Sequence, residues 1–117
     1  MKTETPSLRP RIAVIEDHDA LRENTLLSLR AHALPSWGAP SAEAFYRQAL
    51  VDPPDIVLVD LGLPGEDGFS AIRHLRQMEA LGIIAVTARG ALQDRLEGMA
   101  AGADHYLVKP VQQDELL

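Results

Sequence analysis

The sequence predicts a doubly wound α/β domain, a three-layer sandwich in which five parallel strands alternate with helices. Two observations predict it. Four short apolar runs recur along the chain: Ile12-Ala13-Val14-Ile15, Ile56-Val57-Leu58-Val59, Ile83-Ile84-Ala85-Val86 and Tyr106-Leu107-Val108. Each is too short for a helix and too continuously apolar for a half-exposed strand, which is how a strand covered on both faces reads. The segments between them carry helical periodicity with start and stop signals. Each run is also followed at once by a polar side chain, namely Glu16-Asp17, Asp60, Thr87 and Lys109. The carboxyl ends of parallel strands share one edge, where ligands bind, so these distant residues become neighbours.

Taken in order, the first strand is expected over Arg11 to Glu16 and the first helix over His18 to His32. Leu21, Leu26, Leu27, Leu29 and Ala33 make one face of that helix apolar, and Asp17 or Asp19 is placed to cap it. Leu34 to Gly38 is a weaker strand, which Pro35 assigns to an edge. Ser41 caps a short helix that ends before Pro53-Pro54. The third strand, Ile56 to Asp60, runs into Gly62-Leu63-Pro64-Gly65-Glu66-Asp67-Gly68, a loop dense in turn formers. A third helix is expected over Phe69 to Leu81, stopping at Gly82 before the fourth strand. The fourth helix covers Ala91 to Ala101 with Gly102 at its C-cap, and the fifth strand covers His105 to Lys109. From Val111 a last helix begins and is truncated. Exposed Leu116 and Leu117 make a poor terminus, so the chain reads as cut from a longer protein with a C-terminal output domain. Residues 1–10 read as a disordered leader before a single domain over 11–117.

The bulk properties narrow the function. At 117 residues, 46% hydrophobic and 24% charged, the chain can bury one core without staples. With no cysteine, disulfides and thiolate metal sites are excluded, which is compatible with a cytoplasmic location. A net charge of −6 without a basic stripe argues against direct nucleic-acid binding by this domain. No apolar run approaches the roughly 18 residues of a membrane span, and Met1 to Pro10 has no apolar core of a secretory signal.

The strand-end residues carry the chemistry. Glu16, Asp17 and Asp60 bring three carboxylates together, and like charges at close range are relieved by a hard cation with oxygen ligands. With the Thr87 hydroxyl and the Lys109 ammonium, the set suits a divalent cation and a phosphoryl group. Taken singly, Asp60 is an ordinary turn or cap residue, Lys109 a surface lysine and Tyr106 a half-buried aromatic. The four histidines, His18, His32, His74 and His105, show no metal-ligand spacing and read as bystanders.

Together these residues resemble the receiver domain of bacterial two-component response regulators. The acidic pair Glu16-Asp17, the segment Asp60-Leu61-Gly62-Leu63-Pro64-Gly65-Glu66-Asp67-Gly68, Thr87-Ala88 and Lys109-Pro110 follow the family's order over Arg11 to Leu117. The resemblance implies a flavodoxin-like (βα)5 fold with sheet order 2-1-3-4-5. It makes Asp60 the phosphoacceptor and Mg²⁺ the cofactor, with Asp17, Asp60 and the Gly62 carbonyl as ligands and Glu16 acting through water. Lys109, aimed inward by a cis bond to Pro110, balances phosphoryl charge. Thr87 and the Ala88 amide bond a phosphoryl oxygen, and Tyr106 is the aromatic that moves with Thr87. A sensor histidine kinase is the implied partner. The domain is then a substrate with built-in catalysis rather than an enzyme.

Thr87-Ala88-Arg89-Gly90, Asp94-Arg95 and Glu115-Leu116 look most like the winged-helix, DNA-binding class, which implies transcriptional output and a homodimer paired through Arg95 and Glu115. Some positions depart from the family's usual pattern. Glu16 stands where aspartate is commoner, and His105 replaces an acidic residue. Gly62 and Arg89 occupy positions that tune phosphoryl lifetime, so Gly62→Asn or Arg89→Ala is expected to alter it. Two rival readings remain. A haloacid-dehalogenase-like phosphatase needs a second aspartate two residues after the nucleophile, where this chain has Gly62. A pseudo-receiver would signal by contact alone. Neither a P-loop nor a G-x-G-x-x-G fingerprint is present in the sequence.

Overall fold

The computed structural model describes residues 10–60, 68–78, 80–87 and 92–108. Strands and helices alternate strictly: β1 (Ile12–Ile15), α1 (Asp19–Ala31), β2 (Ser36–Ala39), α2 (Ala42–Ala49), β3 (Ile56–Asp60), α3 (Gly68–Leu75), β4 (Gly82–Thr87), α4 (Leu92–Ala101) and β5 (His105–Val108). All strand pairings are parallel, in the order β2-β1-β3-β4-β5, so the expected flavodoxin-like topology is the observed one. The helix begun at Val111 and residues 1–9 of the leader lie outside the described residues.

Strand periodicity divides the core between two faces. Ala13, Ile15, Val57, Val59, Ile83 and Ala85 pack with Phe45 of α2 and with Phe69, Ile72 and Leu75 of α3. Ile12, Val14 and Leu58 pack on the opposite face with Leu26 and Leu29 of α1. This explains the unbroken apolar runs, because a strand covered on both sides has no polar face to show. Each large side chain removed from water contributes about 1.5–3 kcal/mol. The aliphatic runs therefore fix the register that carries polar residues to the strand ends.

Helix ends depart from expectation in instructive ways. The N-cap of α1 is His18, not Asp17 or Asp19; its Nδ1 accepts from the Leu21 amide at 3.3 Å. Asp17 is thereby left to the site, and Asp19 pairs with Arg22. On α1 only Leu26 and Leu29 of the expected apolar face are buried, whereas Leu21 and Leu27 are 44% and 62% exposed. The helix lies on the short strand β1 and the edge strand β2, too narrow a floor to cover the full apolar arc. Ala33 is not a face residue either. Its φ of 62° ends the helix in a left-handed turn, with Ala33 N–H donating to Arg30 at 2.9 Å and Leu34 N–H to Leu29 at 3.0 Å. β2 consequently starts at Ser36, two residues later than expected, and is an edge strand as Pro35 implied. Ser41 caps α2 as expected, its Oγ accepting from Ala44 N–H at 3.1 Å.

The largest boundary correction concerns α3, which ends at Leu75 rather than Leu81. Gln77 and Met78 donate three residues back, to His74 at 3.2 Å and Leu75 at 2.9 Å, which tightens and stops the helix. Arg76 stabilises this ending. Its guanidinium donates to the carbonyls of Gly102 at 3.1 Å, Met78 at 3.4 Å and Leu81, and to Asp104 Oδ2 at 3.1 Å. Gly102 does end α4, at φ 126°, with the same two backbone bonds that close α1: Gly102 N–H to Met99 at 3.1 Å and Ala103 N–H to Gly98 at 3.2 Å. A Cβ on Gly102 would stand 2.9 Å from Arg76 Cγ, so glycine is required for both φ and space.

Candidate functional site

Register alone assembles the acidic site. Ile15 pairs with Val59 across β1 and β3, so the next residues, Glu16 and Asp60, leave the sheet at the same level. Glu16 is held there by its amide, which donates to Ala39 O of β2 at 3.0 Å. Asp60 pairs with Val86 of β4, and Thr87, one residue on, pairs with Val108 of β5. The backbone of Thr87 thus ends β4 on the same edge. The side chain of Thr87, and the residues Gly62, Ala88, Arg89, Lys109, Pro110 and Glu115, lie outside what is described, as does the Arg95 side chain.

One carboxylate oxygen from each of Glu16, Asp17 and Asp60 lies within 4.8 Å of the other two. Glu16 is buried, Asp60 half-buried and Asp17 exposed. The Glu16 carboxylate is oriented by the chain itself: its Oε2 accepts from the His18 amide at 3.1 Å. Oxygen donors only, at least two of them carboxylates open to water, suit a hard divalent cation rather than a soft one. Opposite ligands of Mg²⁺ stand about 4.2 Å apart, twice its bond length of about 2.1 Å. A separation of no more than 4.8 Å is close to this, so the three oxygens can share one such ion. The donor set fits Mg²⁺. Among the described residues the group contains no histidine; His18 serves as a helix cap, and His32 Nδ1 lies 2.9 Å from Ser28 O.

Tyr106, expected as the switch aromatic, is 6% exposed and belongs to the core formed with Phe69. It packs beneath Gly98 of α4, where a Cβ would come within 2.8 Å of its ring. Three further residues around the site were not anticipated. Arg22 reaches from α1 to the Glu16 carbonyl, Gly38 of β2 gives its stem room, and Gly98 gives Tyr106 its place. The Asp19–Arg22 spacing signals an ion pair on a helix. Nothing local in the sequence says that the same arginine also turns back to the strand end.

Asp104 couples the far end of the sheet. Its Oδ2 accepts from Ile83 N–H at 2.7 Å, and its own amide donates to Ile83 O at 2.7 Å. The Ile83 hydrogen bond holds its carboxyl below the usual aspartate value of 3.8; burial opposes it, and the Arg76 guanidinium and, least, His105 add to the lowering.

Five parallel strands in the order β2-β1-β3-β4-β5, with an acidic cluster at the ends of β1 and β3, define a class of phosphorylation-activated signalling module. The chain belongs to the response regulator receiver domain family, which it matches over residues 12–117. It is 44% identical over 110 residues to the two-component response regulator PhoP of Pseudomonas aeruginosa, covering 91% of this chain and 48% of that protein. It is 34% identical over 105 residues to the KDP operon transcriptional regulatory protein KdpE of Escherichia coli, covering 90% and 47%. Among solved structures, a putative response regulator from Chloroflexus aurantiacus superposes with a TM-score of 0.85 at 32% identity, covering 92% of this chain and 91% of that one. The chain spans about half the length of the curated relatives it matches. Receiver domains use Mg²⁺ at an acidic site and work with a histidine kinase, and among the described residues this chain's cluster is Glu16, Asp17 and Asp60. Among those residues, no helix is long and apolar enough to cross a membrane.

Proposed function

We propose that Asp60 is the phosphoacceptor of this domain and that the phosphoryl group comes from a phosphohistidine on a sensor histidine kinase. The observation that carries this reading is the convergence of Glu16, Asp17 and Asp60 within 4.8 Å at the carboxyl ends of adjacent strands. An Asp60 carboxylate oxygen attacks phosphorus. The bond from phosphorus to the imidazole nitrogen breaks, and its electron pair returns to the histidine. Asp17, Asp60 and the Gly62 carbonyl would hold Mg²⁺, with Glu16 acting through water. The bound ion supplies charge neutralisation for the transferring group. Lys109 adds a second positive charge at the phosphoryl oxygens. Water later hydrolyses the acyl phosphate and regenerates Asp60, so the domain is consumed and reset rather than turning over as an enzyme.

The readout runs through Thr87, the Ala88 amide and Tyr106. Phosphoryl oxygens draw the Thr87 hydroxyl, and Tyr106 answers through its packing against α4, a two-state element biased by one charged modification. The output is transcriptional, through a C-terminal DNA-binding domain of the longer protein, in a cytoplasmic setting. Phosphorylation promotes a homodimer in which Arg95 pairs with Glu115 of a second copy. Leu96 and Met99 of α4, 57% and 45% exposed beside Arg95, support a contact on this face.

The deciding experiment is intact mass after incubation with acetyl phosphate and Mg²⁺, beside the Asp60→Asn variant. One added phosphoryl group, absent in the variant and without Mg²⁺, is the expected result. No addition to the wild type would make this a pseudo-receiver that signals by contact. For the dimer, Arg95→Glu weakens association and Glu115→Arg restores part of it; failure of the swap moves the interface elsewhere.

A further inference from the structure

Arg22 is an arginine almost withdrawn from water, with only 15% of its side chain exposed, and both arms of its guanidinium are committed. Nη1 donates to the Glu16 carbonyl at 2.8 Å, and Nη2 donates to Asp19 Oδ1 at 2.7 Å. Its stem crosses β2 over Gly38, where a Cβ would stand 2.9 Å from Arg22 Cδ and 3.0 Å from Cγ. These atoms lie mid-stem with the far end pinned, so they cannot swing aside without dragging the guanidinium.

The carbonyl that Arg22 holds belongs to the peptide bond joining Glu16 to Asp17. That unit is planar and by itself keeps its two Cα atoms at a fixed separation, so pinning its oxygen sets how the plane, and with it the pair of Cα atoms that bear the first two carboxylates, is oriented against α1 and β2. The other side of Glu16 is held by its amide bond to Ala39 O at 3.0 Å. Glu16 is thus gripped by the edge strand on one side and by the first helix on the other. Asp19 balances the guanidinium charge, so the pair contributes little net field to the carboxylates and acts through geometry.

We infer that Arg22 is a positioning residue for the acidic site: by holding the Glu16–Asp17 peptide it sets these carboxylates for the cation they share with Asp60, and Gly38 belongs to the same device. The inference rests on the reading that the three carboxylates hold Mg²⁺.

The test is a calorimetric Mg²⁺ titration of the 117-residue chain, far below its melting temperature, on the wild type, Arg22→Ala, Arg22→Lys, Gly38→Ala and the Arg22→Ala/Gly38→Ala pair. Arg22→Ala should weaken Mg²⁺ binding roughly tenfold, the lower end of what loss of a ligand-orienting partner costs. Arg22→Lys keeps the charge without two fixed arms, so it should restore little. Gly38→Ala should weaken binding in the wild type and add little once Arg22 is gone, because only Leu26 Cδ1, at 3.1 Å, then stays close to the new Cβ. Wild-type affinity in Arg22→Ala, full rescue by lysine, or an equal Gly38→Ala effect in both backgrounds overturns the assignment while leaving the metal reading intact. Should Arg22→Ala fail to fold, Arg22→Lys and Gly38→Ala still decide. A wild type that binds no Mg²⁺ overturns the metal reading, and this assignment with it.

Discussion

Gly98 of α4 sits directly over the ring of Tyr106 on β5, so close that a methyl group there would stand 2.8 Å from both Cδ2 and Cε2. Tyr106 holds its buried position because that helix residue has no side chain. Gly98→Ala should therefore do two things at once. Overpacking costs about 1–3 kcal/mol, of which the better helix propensity of alanine returns at most ~1 kcal/mol. A net loss of about 1–2 kcal/mol is expected in urea denaturation, and Tyr106→Leu in the same chain should recover most of it. A neutral Gly98→Ala would show that α4 can lift from β5 at no cost.

The two Schellman turns offer a matched pair. Ala33 carries φ 62° without being glycine, whereas Gly102 at φ 126° lies against Arg76. Ala33→Gly is expected to stabilise by about 1 kcal/mol by relieving the left-handed strain, raising the melting temperature by a few degrees. Gly102→Ala should cost about 2–3 kcal/mol, since it adds strain and displaces the Arg76 stem. Thermal melts of the two single variants should move in opposite directions.

Asp104 gives a pH signature. Its carboxyl is held below the usual 3.8 by the Ile83 amide and by Arg76. A folded value below the unfolded one means that the stabilisation is complete above the unfolded value and fades as pH falls through the folded one. At 48% side-chain exposure the contribution is discounted for solvent, to roughly 1 kcal/mol. Asp104→Asn should therefore be less stable than wild type at pH 7, with the gap closing below pH ~4. A gap that persists unchanged at pH 2 would assign the effect to packing instead.

Three carboxylates sharing one site repel each other when no cation is present. In chelator, Asp60→Asn should raise stability by about 1 kcal/mol through loss of one like charge. With Mg²⁺ at a hundred times its dissociation constant the wild type should gain about 2.7 kcal/mol, and the variant clearly less. Chemical denaturation with and without Mg²⁺ checks both halves. Equal gains in the two proteins would remove Asp60 from the cation's ligands.

How far the sequence alone reaches depends on which forces act locally. β3 is found where its pattern put it, Ile56 to Asp60, because unbroken apolar runs report burial on two faces directly. The acidic triad followed, since strand register turns three sequence positions into one edge. The end of α3 did not, because Arg76 meets Gly102, Leu81 and Asp104 only after folding. Leu27 looked like a core residue because helical periodicity says which side is apolar but not how wide a floor lies beneath it. Arg22 hid for the same reason as Arg76: a long side chain answers to carbonyls that only tertiary structure brings near.

One further consequence follows from where the three carboxylates sit in the chain. Glu16, Asp17 and Asp60 all fall within the first 60 residues, at the ends of two strands that pair directly, while α4 and Tyr106 lie beyond residue 90. The acidic cluster and the α4–Tyr106 packing thus stand on separate stretches of one polypeptide, joined across the sheet where β3 pairs with β4. Such a layout leaves α4 and its packing on Tyr106 open to substitution without altering any of the three carboxylates.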